Sequence, residues 1–321
     1  MERRMDIRLQ ERSVRKFEDP QWTAKGERRA VVALNRLDTL WFNTGTLCNI
    51  ACANCYIESS PRNDRLAYLT LLDVTRFLDE IETVTEPVSL IGFTGGEPFM
   101  NPDFLAILEE TLRRGFQTLT LTNAMKPLTH GRDAVANLAA KYGSSMRIRV
   151  SLDGFRAQEH ERERGEGTFA QTLAGLVWLS RNGVTIEVAT RSFAGDSEQA
   201  IRSGFGRLFH DQGIGIDARD PQALMLLPEM RAEDDPPEIT EACWGILHKS
   251  PDSIMCSNAR MVVKRKGESR PAVLACTLLP YDERFELGHT LEEARKPVPL
   301  SHRYCASFCV LGGGSCGSAR S

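Results

Sequence analysis

The chain has 321 residues, 41% of them hydrophobic and 26% charged, with a formal net charge of −3. That length fits one large α/β domain plus an appendage, and the near-neutral balance gives no case for nucleic-acid binding. No run approaches the roughly 18 apolar residues of a membrane span, and the charged start MERRMDIRLQERS has no apolar core of a secretory signal, so a cytoplasmic chain without a membrane partner is expected.

Residues 1–36 read as a polar N-terminal extension. Strands are then expected at 38–43, 88–94, 117–122, 146–152 and 184–190, each short, apolar or β-branched, and bounded by turn residues. Helices are expected at about 70–84, 102–114, 132–142, 168–182 and 197–210, with Asn101-Pro102 starting the second and Gly115, Gly143 and Gly183 ending three of them. Repeated βα units imply a parallel sheet, with ligands at the carboxyl ends of its strands. The acid- and proline-rich stretch 213–252 reads as a linker or substrate-facing segment. Residues 253–321 read as a small cysteine-rich module held together by metal.

Nine cysteines call for a reason other than disulfides, which are disfavoured in the cytosol and cannot pair an odd number. They fall at 48–55 and at 243–316, with 187 residues between, so two metal sites are expected. Cys48, Cys52 and Cys55 form a C-x3-C-x2-C loop after the first strand of the alternation. Three thiolates can hold a four-iron cluster but leave one iron open, and an open metal site is a place for chemistry. A zinc knuckle short of one ligand is the competing reading.

Further polar motifs also close strands. In Thr94-Gly95-Gly96-Glu97-Pro98 the glycines let backbone come close to a ligand and Glu97 supplies an acceptor for an ammonium group. Asn123 follows the third strand, and Ser151 and Asp153 close the fourth; capping of the strand ends is the plain alternative for Asn123 and Asp153. Arg164 stands in the run HERERGEGTF, either as a solvated charge or as a guanidinium for a buried carboxylate.

The arrangement resembles the radical S-adenosylmethionine (SAM) superfamily. That resemblance implies a partial (β/α)6 TIM-like barrel over 37–212. Cys48, Cys52 and Cys55 would ligate a [4Fe–4S] cluster whose open iron is chelated by SAM. Tyr56, Gly95, Gly96, Glu97, Asn123, Ser151, Asp153 and Arg164 would surround the cofactor. The residue before the third cysteine, often aromatic in the family, is Asn54 here. The last segment resembles SPASM and twitch regions, which carry auxiliary [4Fe–4S] clusters. A single auxiliary cluster would use Cys256, Cys276, Cys305 and Cys309, with Cys316 as the rival to Cys309 and zinc as the rival metal. Cys243 and Cys316 remain as buried thiols or as hydrogen-atom donors.

The resemblance further implies one-electron cleavage of SAM, fed by a flavodoxin- or ferredoxin-type donor. The resulting 5′-deoxyadenosyl radical would abstract a hydrogen atom from a small-molecule or peptide substrate, with oxidation or epimerisation as the outcome. The shortness of the N-terminal extension tilts the reading toward a small molecule. A ribosomal-peptide maturase forming a crosslink or thioether is the alternative, and a non-catalytic iron–sulfur or zinc scaffold is the rival from another class.

Overall fold

A computed structural model of the chain describes residues 15–83, 88–192, 197–230 and 234–314. After a two-residue strand β1 (Val31–Val32), the expected alternation follows. Its elements are β2 (Thr39–Asn43), α1 (Leu71–Thr83), β3 (Leu90–Thr94), α2 (Phe104–Arg113), β4 (Gln117–Thr122), a short α3 (Lys126–Thr129) and α4 (Arg132–Tyr142). Then come β5 (Met146–Ser151), α5 (Ala157–Arg164), α6 (Thr168–Arg181), β6 (Thr185–Ser192), α7 (Glu198–Gln212) and β7 (Leu224–Pro228). Strands β2 to β7 lie side by side in chain order, each pair parallel. This is the α/β architecture that the alternation implied.

Side-chain alternation sorts the two faces of this sheet. Met146, Ile148 and Val150 of β5 join the main core with Leu176 and Leu179 of α6, and Leu40 and Phe42 of β2 join the same core. The intervening residues Trp41, Arg149 and Ser151 line a cavity on the other face. Burying one apolar side chain contributes about 1.5–3 kcal/mol, so slipping a strand by one residue would forfeit several such terms and expose polar rows to the core.

Two expectations are corrected. Residues 213–252 are not linker throughout, because Leu224–Pro228 is the sixth strand of the parallel set. Its signal is weak because β7 pairs on one side only and three of its five residues are half-buried. The last segment, expected as a small cysteine-rich module, extends the same sheet. After α8 (Cys243–Leu247), strand β8 (Ala259–Val263) pairs parallel with β2, β9 (Ala272–Leu274) pairs antiparallel with β8, and β10 (Glu286–Gly288) with β9. One nine-stranded sheet therefore joins the strand before the first cysteine loop to the strands beside Cys256 and Cys276. Strand β11 (Val298–Pro299) returns to pair with β1, and a π-helical turn at Cys305–Leu311 follows.

Candidate active site

The loop after β2 carries Cys48, Cys52 and Cys55 to the carboxyl ends of the strands, where all three line the cavity. The same cavity is lined by Tyr56, Gly95, Gly96, Asn123, Ser151, Asp153 and Arg164. Three thiols and seven of the eight expected cofactor contacts thus converge from four loops. Glu97 is the exception. It is 1% exposed, and its carboxylate accepts from Thr122 Oγ1 (2.8 and 2.9 Å), Asn123 N (2.9 Å) and Phe99 N (3.2 Å). Burial raises this carboxyl to about 7, against the pull of those hydrogen bonds. Its place is beneath the cavity, tying the end of β3 to the end of β4.

The glycine pair, which lines the cavity, also meets the cysteine loop. Gly96 N donates to Gly45 O (2.8 Å) and Glu97 N to Leu47 O (3.1 Å), so the turn is zipped to the cysteine loop. A Cβ on Gly96 would sit 2.1 Å from Leu47 O. The small residue is required there by one backbone approaching another.

The thiols have local donors. Ser59 N lies 3.3 Å from Cys55 Sγ, Asn123 Nδ2 3.8 Å from Cys48 Sγ, and Arg164 Nη1 4.0 Å from Cys52 Sγ. Burial pushes the Cys48 thiol up to about 12, with the charges of Glu97, Cys52 and Cys55 adding to it. Burial also raises Cys52, while Arg164 opposes it. Thiolates in this loop therefore need compensating positive charge, which a bound metal supplies. Arg164 is not a solvated charge: its side chain is 13% exposed and Nε donates to Asp153 Oδ2 at 2.9 Å.

Residues that the sequence reading did not single out hold this loop in place. Arg191 of β6 donates to Glu163 Oε2 (3.0 Å) and to Asn54 O (2.9 Å), and its guanidinium lies 5.3 Å from the Tyr56 ring centroid. Glu163 in turn accepts from Asn54 Nδ2 (2.8 Å), and its carbonyl from Ala53 N (2.7 Å). The available signal was alternation: Arg147 and Arg149 in β5, and Glu187 and Arg191 in β6, put charge on one face of otherwise apolar strands.

The second cysteine group also converges. Cys256, Cys276, Cys305 and Cys309 line one small apolar cavity with Leu278, Phe285 and Tyr304. Burial pushes Cys256 up to about 11 and Cys305 up to about 12. Leu278 N lies 3.3 Å from Cys276 Sγ, and the same Leu278 lines the main cavity. Tyr56 spans the two sites as well, edge-on to Tyr304 at 6.4 Å and to Phe308 at 6.3 Å. Cys243 lines neither cavity; its Sγ lies 3.4 Å from Thr240 N at the start of α8. Cys316 lies outside the described residues.

Residues 42–199 match the model of the Radical SAM superfamily. The chain is 31% identical over 279 residues to the antilisterial bacteriocin subtilosin biosynthesis protein AlbA of Bacillus subtilis, covering 80% of this chain and 58% of AlbA. It is 30% identical over 144 residues to the AdoMet-dependent heme synthase of Methanosarcina barkeri, covering 44% and 39%. It is 29% identical over 140 residues to the mycofactocin maturase MftC of Mycolicibacterium smegmatis, covering 43% and 33%. The chain thus spans from a third to three fifths of the length of these relatives. Among solved structures, Streptococcus suis SuiB bound to precursor peptide SuiA shares the fold, with a TM-score of 0.58 at 12% identity over 82% of this chain and 66% of that one. On the family match and the similarity to AlbA, the chain belongs to the radical SAM superfamily.

Proposed function

We propose that this chain modifies a peptide by radical chemistry, forming a crosslink or thioether during maturation. The observation that carries the reading is the similarity to AlbA, which covers 80% of this chain, more than the stretch 42–199 that the family model matches. AlbA is named for bacteriocin biosynthesis and MftC as a maturase, and both names speak for a peptide over the small molecule that the short N-terminal extension suggested.

The donor sets fit the cofactors of the family. Three thiols from one loop open onto a cavity whose wall also holds Ser151, Asp153 and Arg164, a hydroxyl and an ion pair suited to the polar ends of SAM. Cys48, Cys52 and Cys55 on one cavity and Cys256, Cys276, Cys305 and Cys309 on the other are all-thiol donor sets, which suit iron–sulfur clusters. When bound, the first cluster and SAM supply an electron and a 5′-deoxyadenosyl radical.

The chain's own part is to place and enclose. Arg164, held by Asp153, sets a positive charge beside Cys52. Tyr56, Ile57 and Leu278 form an apolar wall that keeps water from a reactive carbon. Bond formation between two substrate groups removes two hydrogens: one leaves as an atom to the deoxyadenosyl carbon, the other as a proton, with one electron to an acceptor. A cluster held by Cys256, Cys276, Cys305 and Cys309, beyond Leu278, would supply that acceptor. The test is anaerobic incubation of reconstituted enzyme with SAM, dithionite and short peptides encoded beside its gene. A peptide lighter by two hydrogen atoms, formed in step with 5′-deoxyadenosine, supports the proposal; a peptide of unchanged mass that gains solvent deuterium shows epimerisation instead.

A further inference from the structure

Besides the cofactor-side residues, the cavity is lined by side chains of the strands themselves: Trp41 of β2, Leu121 of β4, Arg149 of β5, Ala189 of β6 and Met225 of β7. The strand register fixes their depth. Leu121, Arg149 and Glu187 are partners in one row, and Ser151, Ala189 and Met225 in the next row toward the strand ends.

Two observations set these side chains apart. The first is charge. The Arg149 side chain is 3% exposed, and its Nε and Nη2 lie 2.8 and 2.7 Å from Glu187 Oε2. Arg147 Nη1 reaches the other oxygen, Glu187 Oε1, at 3.0 Å. Two guanidiniums thus share one carboxylate inside the barrel, and one of the two faces the cavity.

The second observation is an orphan donor. Trp41 is fully buried, and its indole Nε1 has no hydrogen-bond partner among the described residues. Buried N–H groups are almost always paired, and one that is not wants an explanation. The fold holds the ring there deliberately. Gly92 is the register partner of Trp41 on β3, and a Cβ at that position would sit 2.3 Å from indole Cε3 and 2.6 Å from Cζ3. The benzene edge of the indole therefore occupies the space above Gly92, and Nε1 lies at the opposite edge of the ring.

We propose that Trp41 and Arg149 form a receptor for a substrate carboxylate in the barrel lumen, below the strand ends that hold SAM. An indole N–H and a guanidinium can only donate, so both select for an acceptor, and the guanidinium matches a carboxylate in charge and shape. Leu121, Ala189 and Met225 take the methylene stem of such a group. The receptor rests on the reading above that the substrate reacts in this cavity. On a peptide the carboxylate is an acidic side chain or a chain terminus.

The test uses reconstituted, SAM-loaded enzyme labelled with 5-fluorotryptophan, whose four tryptophans give four fluorine resonances, the Trp41 signal being identified by Trp41→Phe. The probes are N-acetylglutamate α-amide, which presents a side-chain carboxylate, N-acetylalanine, which presents a terminal one, and neutral N-acetylglutamine amide. At least one acid should shift the Trp41 signal and bind tenfold or more tighter than the neutral amide, and which acid does so identifies the source. Arg149→Gln should bring that preference to about one. Arg149→Lys, which keeps the charge beside Glu187, should retain the preference with several-fold weaker binding. If all three probes act alike on the Trp41 signal, or none does, the receptor is overturned. Release of 5′-deoxyadenosine under dithionite is measured on the same preparation. Its presence without acid selection sinks the receptor alone; its absence with acid selection sinks the radical reading alone.

Discussion

The cysteine loop depends on a buried ion pair that lies outside it, and Arg191→Leu tests that dependence. Arg191 and Glu163 are 8% and 7% exposed, with Nη1 3.0 Å from Oε2. Removing one partner of a buried pair costs about 3–5 kcal/mol, because the other charge stays buried without its counterion. Glu163 keeps the Asn54 amide at 2.8 Å and the more distant, exposed Arg162 at 3.9 Å, so the low end of that range, about 3 kcal/mol, is expected. Adding Glu163→Gln to Arg191→Leu removes the stranded charge and should recover about 1–2 kcal/mol of the loss. Urea unfolding of the reduced, metal-free chain, followed by circular dichroism, gives the stabilities. Iron content after reconstitution should fall in the single variant, since Asn54 O loses its donor and the loop its anchor. If the single and double variants unfold alike to within about 0.5 kcal/mol, the pair is not coupled and the argument fails.

Other expectations follow from single contacts. Gly96→Ala places a Cβ against the Leu47 carbonyl and should halve the iron bound per chain by emptying the first site, as read by iron and sulfide analysis; full loading would show that the zipped loops can part. Burial raises Glu97 to about 7 in the folded chain from its ordinary value of 4.5, so its contribution to stability is complete below about 4.5 and is lost as pH rises through 7. Glu97→Gln should therefore flatten the pH dependence of the thermal midpoint across that window, and an unchanged slope would remove Glu97 as its source. Cys309→Ser should lower the iron count by one cluster while Cys316→Ser leaves it near eight irons per chain; the reverse result would move the fourth ligand to Cys316.

Much of the barrel was legible because its signals are local. The five strands expected between 38 and 190 appear at β2 to β6 with ends shifted by two residues or fewer, since each alternates core-facing aliphatics with a short turn. Leu224–Pro228 escaped because an edge strand of five residues, three of them only half-buried, has a short apolar run to show. The joining of β8 to β2 was not legible at all: it is a pairing between residues 39–42 and 259–262, and nothing local encodes a contact at that separation. At the site, spacing singled out the thiols and the family resemblance singled out Ser151 and Arg164, all of which line one cavity, whereas the contacts of Gly96 and Glu97 depended on which backbone lay opposite them. Arg191 and Glu163 were missed for a similar reason, since each looks like an ordinary surface charge until its partner strand is in place.

We propose that the loop of Cys48, Cys52 and Cys55 holds a cluster that cleaves SAM in the cavity bounded by Ser151, Asp153 and Arg164. Anaerobically reconstituted enzyme, given SAM and dithionite, should form 5′-deoxyadenosine, and a chain with all three of these cysteines changed to alanine should form none. Equal yields from the two proteins, or no product above background from the unaltered one, would contradict the account.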